Sequence, residues 1–329
     1  MPMWTLFKAM RANIALITIF LTLILTLTPA CAINVTCSMP DFMPIVKAIG
    51  KDKVNVTSIM PPGTDPHSFT ITKSKMESLE NSDLILLVNS EFLHFEEKIK
   101  KKYGYKCLDF EDYKKNGATL DSFPKYKMNP HGYWLKLDNG VAIAKTLKET
   151  LSKISPKNKD FFEKNFYVFL NEIEDAKKVT KEIIAVEKLE NKSCVAIVPG
   201  VCYIIQNMGM EVGDVLLGEE LGFASGKSIA EIEEKLKSEY SFIVLPEFMK
   251  DSKAGEIAKQ LSKDTGKPIV YVKFVMAGKN DSYTALHYKN LISFAKAKSL
   301  SKTEKEQSYE LILALILLVT IPILIKMRC

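Results

Sequence analysis

Two histidines in proline-containing loops are the side chains of this chain best suited to binding chemistry. One is His67, in the segment Pro61-Pro62-Gly63-Thr64-Asp65-Pro66-His67, and the other is His131, in Asn129-Pro130-His131-Gly132. Proline and glycine stiffen both loops, so each imidazole is presented from a restricted backbone. The first loop alone fits a surface turn equally well, but neutral imidazole is the commonest metal ligand in proteins. The two loops together predict a metal site formed by His67 and His131.

Strands and helices alternate around both loops. Residues 54–60 alternate in polarity and predict a strand that leads into the His67 loop, while the apolar run at 83–89 predicts a fully buried strand. Such alternation indicates a parallel sheet covered by helices, and ligands gather at the carboxyl ends of its strands. We therefore expect the two imidazoles to meet over one edge of a sheet.

The middle of the chain predicts a rigid connection between two lobes. From about residue 157 to 188, apolar side chains recur at helical spacing, and no glycine or proline follows Pro156 in this stretch. Strand and helix patterns then restart beyond residue 191, and 329 residues exceed what one core usually organises. The predicted fold class is α/β: lobes at 33–155 and 190–299, each with a small, mostly parallel sheet, joined by one long helix at 156–189.

Both ends of the chain are apolar. Residues 1–32 have a basic start, an apolar run and the small-x-small site Ala30-Cys31-Ala32, which predicts a cleaved signal peptide. Acylation of Cys31 and an uncleaved membrane anchor are the alternatives. A second apolar run predicts a C-terminal transmembrane helix at 311–325, with a polar stalk at 300–310 and a cytoplasmic tail at 326–329. These segments predict a domain on the extracellular face of the membrane, anchored by its C-terminus.

Composition argues against several classes of function. Setting aside four basic residues in the terminal segments leaves 41 basic against 39 acidic side chains, so no electrostatic surface for nucleic acid is expected. The sequence has no HExxH, GxSxG or Walker-type glycine loop, which argues against an enzyme. Four cysteines in the body lack CxxC spacing and predict neither a structural zinc site nor a disulfide framework: Cys37, Cys107, Cys194 and Cys202.

Several segments resemble the metal-binding solute-binding proteins of ABC importers for zinc, manganese or iron. In chain order they are Gly63-Thr64-Asp65-Pro66-His67-Ser68-Phe69, Ser82-Asp83-Leu84-Ile85 with Leu93-His94-Phe95-Glu96, Pro130-His131-Gly132-Tyr133-Trp134-Leu135, and Tyr283-Thr284-Ala285-Leu286-His287-Tyr288-Lys289-Asn290. The resemblance covers roughly residues 33–297 and implies a monomer whose two lobes hold a transition metal between them. That metal, zinc or manganese, would be cargo for an ABC permease and its ATPase.

The resemblance is incomplete in the second lobe. The family normally supplies two histidines from its first lobe, which match His67 and His131, and a histidine and an aspartate from its second. Here the expected histidine position falls at Val198 or Pro199, and Lys273 stands at or near the expected acid. Lys273 would oppose a dication if it faced the cleft. Three residues could replace the missing ligands: Cys202, Glu247 and Asp281. A thiolate ligand from Cys202 would favour zinc or copper(I).

Two other functions stay open on the sequence. One is a receptor for a metal complex such as haem, a siderophore or a corrinoid, which the same architecture would serve with a wider, aromatic-lined cleft. The other is a surface adhesin or metal-storage protein that has lost the standard metal site. The identity of the metal also stays open, because selectivity depends on coordination geometry that a sequence does not contain.

Overall fold

The computed structural model describes residues 32–218, 226–276 and 281–299, which form two α/β lobes. Each lobe is built on a four-stranded parallel sheet, with strand orders β2-β1-β3-β4 and β6-β5-β7-β8. The strands of the first lobe are β1 Ile33–Cys37, β2 Val54–Ser58, β3 Leu84–Leu86 and β4 Cys107–Leu108. Those of the second are β5 Ser193–Ala196, β6 Glu211–Val215, β7 Tyr240–Pro246 and β8 Ile269–Val272. The predicted two-lobed α/β fold with parallel sheets is confirmed.

Helices cover both sheets. In the first lobe they are α1 Met43–Gly50, α2 Lys73–Ser78, α3 His94–Tyr103, α4 Phe110–Lys115 and α5 Leu137–Ile154. In the second they are α7 Cys202–Asn207, α8 Gly226–Ser238, α9 Lys253–Thr265 and α10 Tyr283–Ser299. Local signals fix several boundaries: Asp109 and Asp112 form a capping box at the start of α4, and Gly266 ends α9 with a φ of +70°.

One long helix, α6, links the lobes. It runs over Lys159–Val186, and its 28 residues correspond to a length of about 42 Å. Buried side chains such as Phe162, Phe169 and Ile173 follow one another at helical spacing. The helix packs on α1 and α5 of the first lobe and on α10 of the second. Both lobes are therefore attached to one stiff element.

Hydrogen bonds also join the lobes directly. The Tyr283 hydroxyl, at the start of α10, donates to the carbonyl oxygens of Trp134 (2.6 Å) and Lys136 (2.9 Å) in the first lobe. The side chain of Asn207, at the end of α7, donates to the Leu135 carbonyl at 2.7 Å. These buried or half-buried contacts fix the segment that follows His131 against the second lobe.

The predicted C-terminal transmembrane helix is not supported, and this part of the predicted fold class is corrected. Among residues 32–218, 226–276 and 281–299, no helix combines the length and the apolar character needed to cross a membrane. The last described helix, α10, instead packs on β8 and on the linking helix α6. The apolar run at 311–325 lies outside the described residues, as do residues 1–31 of the signal peptide predicted at 1–32 and the segments predicted at 300–310 and 326–329.

Candidate metal centre

His67 lies in the loop that follows β2, at the carboxyl end of the first sheet. Its backbone N–H donates to the Asp65 side chain at 3.0 Å, and the Ser68 hydroxyl donates to the Asp65 carbonyl at 3.3 Å. Gly63 supplies a φ of +77° that other residues rarely adopt. The loop therefore folds back on its own backbone and leaves the imidazole of His67 exposed.

His131 lies in the loop between α4 and α5, where Asn129 fixes its imidazole. The Asn129 side-chain oxygen lies 3.0 Å from both the backbone nitrogen and Nδ1 of His131. The amide nitrogen of Asn129 donates to the Pro199 carbonyl at 2.9 Å, which settles which end of the amide is the acceptor. Nδ1 of His131 therefore carries the proton, and the Nε2 lone pair is available to a metal.

The structure brings His67 and His131 together, with their ring centroids 5.5 Å apart. The Phe92 ring lies edge-to-face with both imidazoles, at 5.0 Å from His67 and 4.7 Å from His131. The Tyr126 ring adds a contact with His131 at 5.7 Å. Burial, with a smaller contribution from neighbouring His67, lowers the pKa of His131 to about 4. His131 is therefore neutral at pH 7, which is the form that ligates metals.

The two departures from the expected ligand set lie at strand ends of the second lobe. Val198 is half-buried and precedes the short turn Pro199–Val201, which contacts the His131 loop. Lys273, just after β8, pairs with Asp281 at 2.6 Å between Nζ and Oδ1. The positive charge of Lys273 is thus offset by a neighbouring carboxylate.

The candidate replacement ligands do not assemble with the histidine pair. Cys202 is fully buried, and burial raises the pKa of its thiol to about 12, so it is protonated at pH 7. Glu247 is exposed and pairs with Lys289 at 2.8 Å, while Asp281 pairs with Lys273. Across the described ranges, no group of three or more His, Cys, Asp or Glu side chains is placed to hold a metal ion.

The other two histidines have separate surroundings. His94 lies at the start of α3 with its side chain 97% exposed, and its Nδ1 is 3.6 Å from Glu97. His287, on α10, is buried, and its Nε2 is 2.7 Å from the Thr180 hydroxyl on α6. His94 is therefore a surface residue, and His287 helps to join α10 to the linking helix.

Sequence reasoning missed Asn129 and Phe92. A signal existed for Asn129, because asparagine commonly hydrogen-bonds the backbone two residues further on, and His131 is at that position. No spacing or motif marked Phe92, which reaches the imidazoles only through a turn after β3. Glu96 accepts the backbone N–H groups of Val88 and Asn89 at the start of that turn. It lies in one of the segments that resemble the family, but nothing in the sequence indicated this role.

Comparison with known proteins places this architecture among metal-uptake proteins. A family model described as "ZnuA: Zinc-uptake complex component A periplasmic" matches residues 35–297. The chain is 29% identical over 271 residues to the metal ABC transporter substrate-binding lipoprotein SloC of Streptococcus mutans, covering 78% of this chain and 86% of SloC. It is also 29% identical over 271 residues to the iron ABC transporter substrate-binding lipoprotein MtsA of Streptococcus pyogenes, covering 75% and 83%.

Solved structures share the fold at lower sequence identity. A crystal structure of ZnuA superposes with a TM-score of 0.67 at 18% identity, covering 81% of this chain and 99% of that one. The protein FpvC of Pseudomonas aeruginosa, in complex with Mn²⁺, gives a TM-score of 0.66 at 16% identity, covering 82% and 100%. At these identities the likeness establishes the fold alone.

Proposed function

The chain belongs to the family described as zinc-uptake complex component A, whose model matches residues 35–297, and on this premise we propose that it is a substrate-binding protein of an ABC importer. Its cargo is a transition-metal ion, captured between the lobes on the outer side of the cell membrane. The names of the streptococcal relatives support a permease and an ATPase as its partners. A protein of this kind binds and delivers its substrate and carries out no catalysis.

The convergence of His67 and His131 is the observation that carries this proposal. The rings come from two separate loops, and their centroids lie 5.5 Å apart. His131 is neutral at pH 7, and its hydrogen bond to Asn129 uses Nδ1, which leaves the Nε2 lone pair available to a metal. Metal-binding histidines usually have such a fixed Nδ1 partner. We propose that the two Nε2 atoms are the ligands that this lobe gives to the metal.

Zinc suits this pair better than manganese. Imidazole nitrogen is a good ligand for zinc, copper, iron and nickel, whereas manganese prefers carboxylate, carbonyl and water oxygens. Zinc normally takes four ligands, so its remaining positions would be filled by water or by further groups when the ion is bound. In the general affinity order of divalent metals, manganese and iron also stand below zinc. We therefore propose zinc as the preferred cargo, with manganese and iron binding more weakly.

A metal complex is the second candidate substrate. Two imidazoles meet at the site, and the described residues bring no third His, Cys, Asp or Glu to them. A chelated metal carries its own anionic donors, so it needs only one or two ligands from the protein. Nothing in the comparisons or in the described residues favours an adhesin or a storage protein, and neither is proposed.

Calorimetry with zinc, manganese and iron on the full-length chain tests the proposal, together with analysis of the metal bound after purification. We expect zinc to bind with a stoichiometry of one. His67→Ala and His131→Ala should each weaken zinc binding by more than the roughly 10–100-fold that loss of an outer hydrogen-bonding partner costs.

His94→Ala is the matched control, because His94 is exposed on α3 and contacts only Glu97 among the described acidic residues. It should bind zinc like the wild type. Absence of bound metal and of binding heat with all three ions in the wild type would refute capture of a free ion. Near-wild-type zinc affinity in His131→Ala alone would show that the two loops do not bind the same metal ion.

A further inference from the structure

We propose that Glu96 is a positioning residue for the histidine pair, acting through the turn that carries Phe92 and through the loop that carries His131. This inference rests on the proposed function, because it concerns the same two imidazoles. Glu96 lies on α3, is fully buried and touches neither imidazole in the described contacts. Its effect is therefore exerted through the backbone between residues 88 and 93.

Glu96 binds backbone groups that the sheet leaves without partners. β3 ends at Leu86, which pairs with Leu108 in the two-residue strand β4, and Leu87 donates to the Leu108 carbonyl at 2.8 Å. Beyond this point the N–H groups of Val88 and Asn89 have no strand to bind. The two carboxylate oxygens of Glu96 accept them, at 2.9 and 2.8 Å respectively. A buried N–H group needs such a partner, so the carboxylate substitutes for the missing strand.

The same backbone segment holds the His131 loop. The Tyr133 hydroxyl donates to the Val88 carbonyl at 2.6 Å, and Tyr133 is fully buried two residues after His131. Val88 therefore donates its N–H to Glu96 and accepts the Tyr133 hydroxyl on its carbonyl oxygen. A shift of Val88 would be transmitted to the backbone of the His131 loop.

The segment also places the aromatic ring that touches both imidazoles. The Asn89 carbonyl accepts the N–H groups of Phe92 at 3.1 Å and of Leu93 at 3.0 Å, which closes the turn that starts at the Glu96-bound nitrogen of Asn89. The Phe92 ring lies 5.0 Å from His67 and 4.7 Å from His131. Glu96 thus fixes the position of one ring that limits the rotation of both candidate ligands.

The experiment compares Glu96→Ala and Glu96→Gln with the wild-type full-length chain, using zinc calorimetry and the EPR spectrum of bound Cu²⁺ as a probe of ligand geometry. We expect Glu96→Ala to weaken zinc binding by about 10–100-fold without changing the stoichiometry, and to alter the Cu²⁺ spectrum. Glu96→Gln keeps one acceptor oxygen and should recover part of both properties.

A second variant separates positioning from stability. Asn165→Ala removes a buried hydrogen bond of 2.9 Å from the linking helix to the Ile49 carbonyl of the first lobe. It should lower the melting temperature while leaving the zinc affinity and the Cu²⁺ spectrum unchanged. If Glu96→Ala does the same, its role is structural only and the inference is overturned.

Two further outcomes keep the inference distinct from the proposed function. Loss of zinc binding in His67→Ala with wild-type affinity and spectrum in Glu96→Ala would overturn the inference and leave the function standing. Absence of metal binding by the wild type would overturn both. If Glu96→Ala does not fold, Tyr133→Phe tests the inference instead, because it removes only the hydroxyl that donates to the Val88 carbonyl. An unchanged Cu²⁺ spectrum in Tyr133→Phe would contradict the inference.

Discussion

Removal of the Asn129 side chain should weaken metal binding and loosen the contact between the lobes, and two substitutions separate these effects. Asn129 is fully buried and its side chain makes three hydrogen bonds: its oxygen accepts from the backbone N–H and from Nδ1 of His131, and its nitrogen donates to the Pro199 carbonyl. Asn129→Ala removes all three. At about 1 kcal/mol each, their loss should lower the free energy of unfolding by about 3 kcal/mol.

The effect of Asn129→Ala on binding follows from the tautomer of His131. Without the Asn129 oxygen, no hydrogen bond among the described contacts keeps the proton on Nδ1, and only ring contacts such as those with Phe92 and Tyr126 restrict the imidazole. Loss of such a partner usually costs 10–100-fold in metal affinity, which corresponds to about 1.4–2.7 kcal/mol. Asn129→Asp instead keeps an oxygen opposite Nδ1 but places a second oxygen against the Pro199 carbonyl. It should bind zinc at least as tightly as the wild type and yet be less stable.

Calorimetry with zinc and chemical denaturation of the metal-free chain measure the two effects separately. Zinc binding by Asn129→Ala at wild-type affinity would show that the Asn129 hydrogen bond does not prepare His131 for ligation. Wild-type stability in Asn129→Asp would show that the bond to Pro199 contributes nothing to the contact between the lobes. Either result refutes one half of the reasoning without affecting the other.

Three further predictions follow from the close approach of the lobes, from a buried histidine and from the donor atoms. In urea denaturation, Gly132→Ala should lose more unfolding free energy than Gly266→Ala. Both glycines have φ near +70°, but only at Gly132 would a Cβ lie 2.5 Å from the Gly200 carbonyl oxygen. Equal losses of unfolding free energy in the two variants would contradict this. Burial lowers the pKa of His287 to about 4, so the stability that its neutral form contributes is complete above the unfolded pKa of about 6.5 and is lost as the pH falls towards 4. Between pH 7 and 5, the free energy of unfolding of the wild type should therefore fall by about 2 kcal/mol more than that of His287→Gln. Parallel pH profiles of the two proteins would refute this. Competition calorimetry should show zinc displacing manganese, and tighter manganese binding would mean that oxygen ligands dominate the site.

The elements of the fold were predictable because their signals are local. The strand expected at 54–60 is β2 Val54–Ser58, and the long helix expected within 156–189 is α6 Lys159–Val186. The buried strand expected at 83–89 is shorter, and β3 covers only Leu84–Leu86. The apolar run continues to Val88, but the neighbouring strand β4 ends at Leu108, so the backbone beyond β3 turns to Glu96 for its hydrogen bonds. The length of β3 therefore depends on where the neighbouring strand β4 ends, and the apolar pattern of β3 carries no information about that.

The site was only partly predictable for a related reason. Stiff loops with a histidine are visible in a sequence, and the structure brings His67 and His131 together. The groups that orient the rings act across long separations: Asn129 binds the Pro199 carbonyl, and the Tyr203 hydroxyl donates to the Asn129 carbonyl at 2.6 Å. Neither contact follows from periodicity or from a motif.

The second lobe therefore contributes to the candidate site in a way that a comparison of ligand positions does not detect. Val198 stands where the family resemblance leads us to expect a ligand. The carbonyl oxygen of the next residue, Pro199, accepts a hydrogen bond from the Asn129 side chain, and any residue type at that position would offer the same atom. Because the Asn129 oxygen in turn accepts from Nδ1 of His131, the Pro199 carbonyl of the second lobe helps to set the tautomer of a candidate ligand in the first. A movement between the lobes that broke the bond to Pro199 would free the Asn129 amide and weaken the hold on His131. On the proposed function, metal affinity and the relative position of the lobes would be coupled through the Pro199 carbonyl oxygen, whichever side chains complete the coordination of the metal.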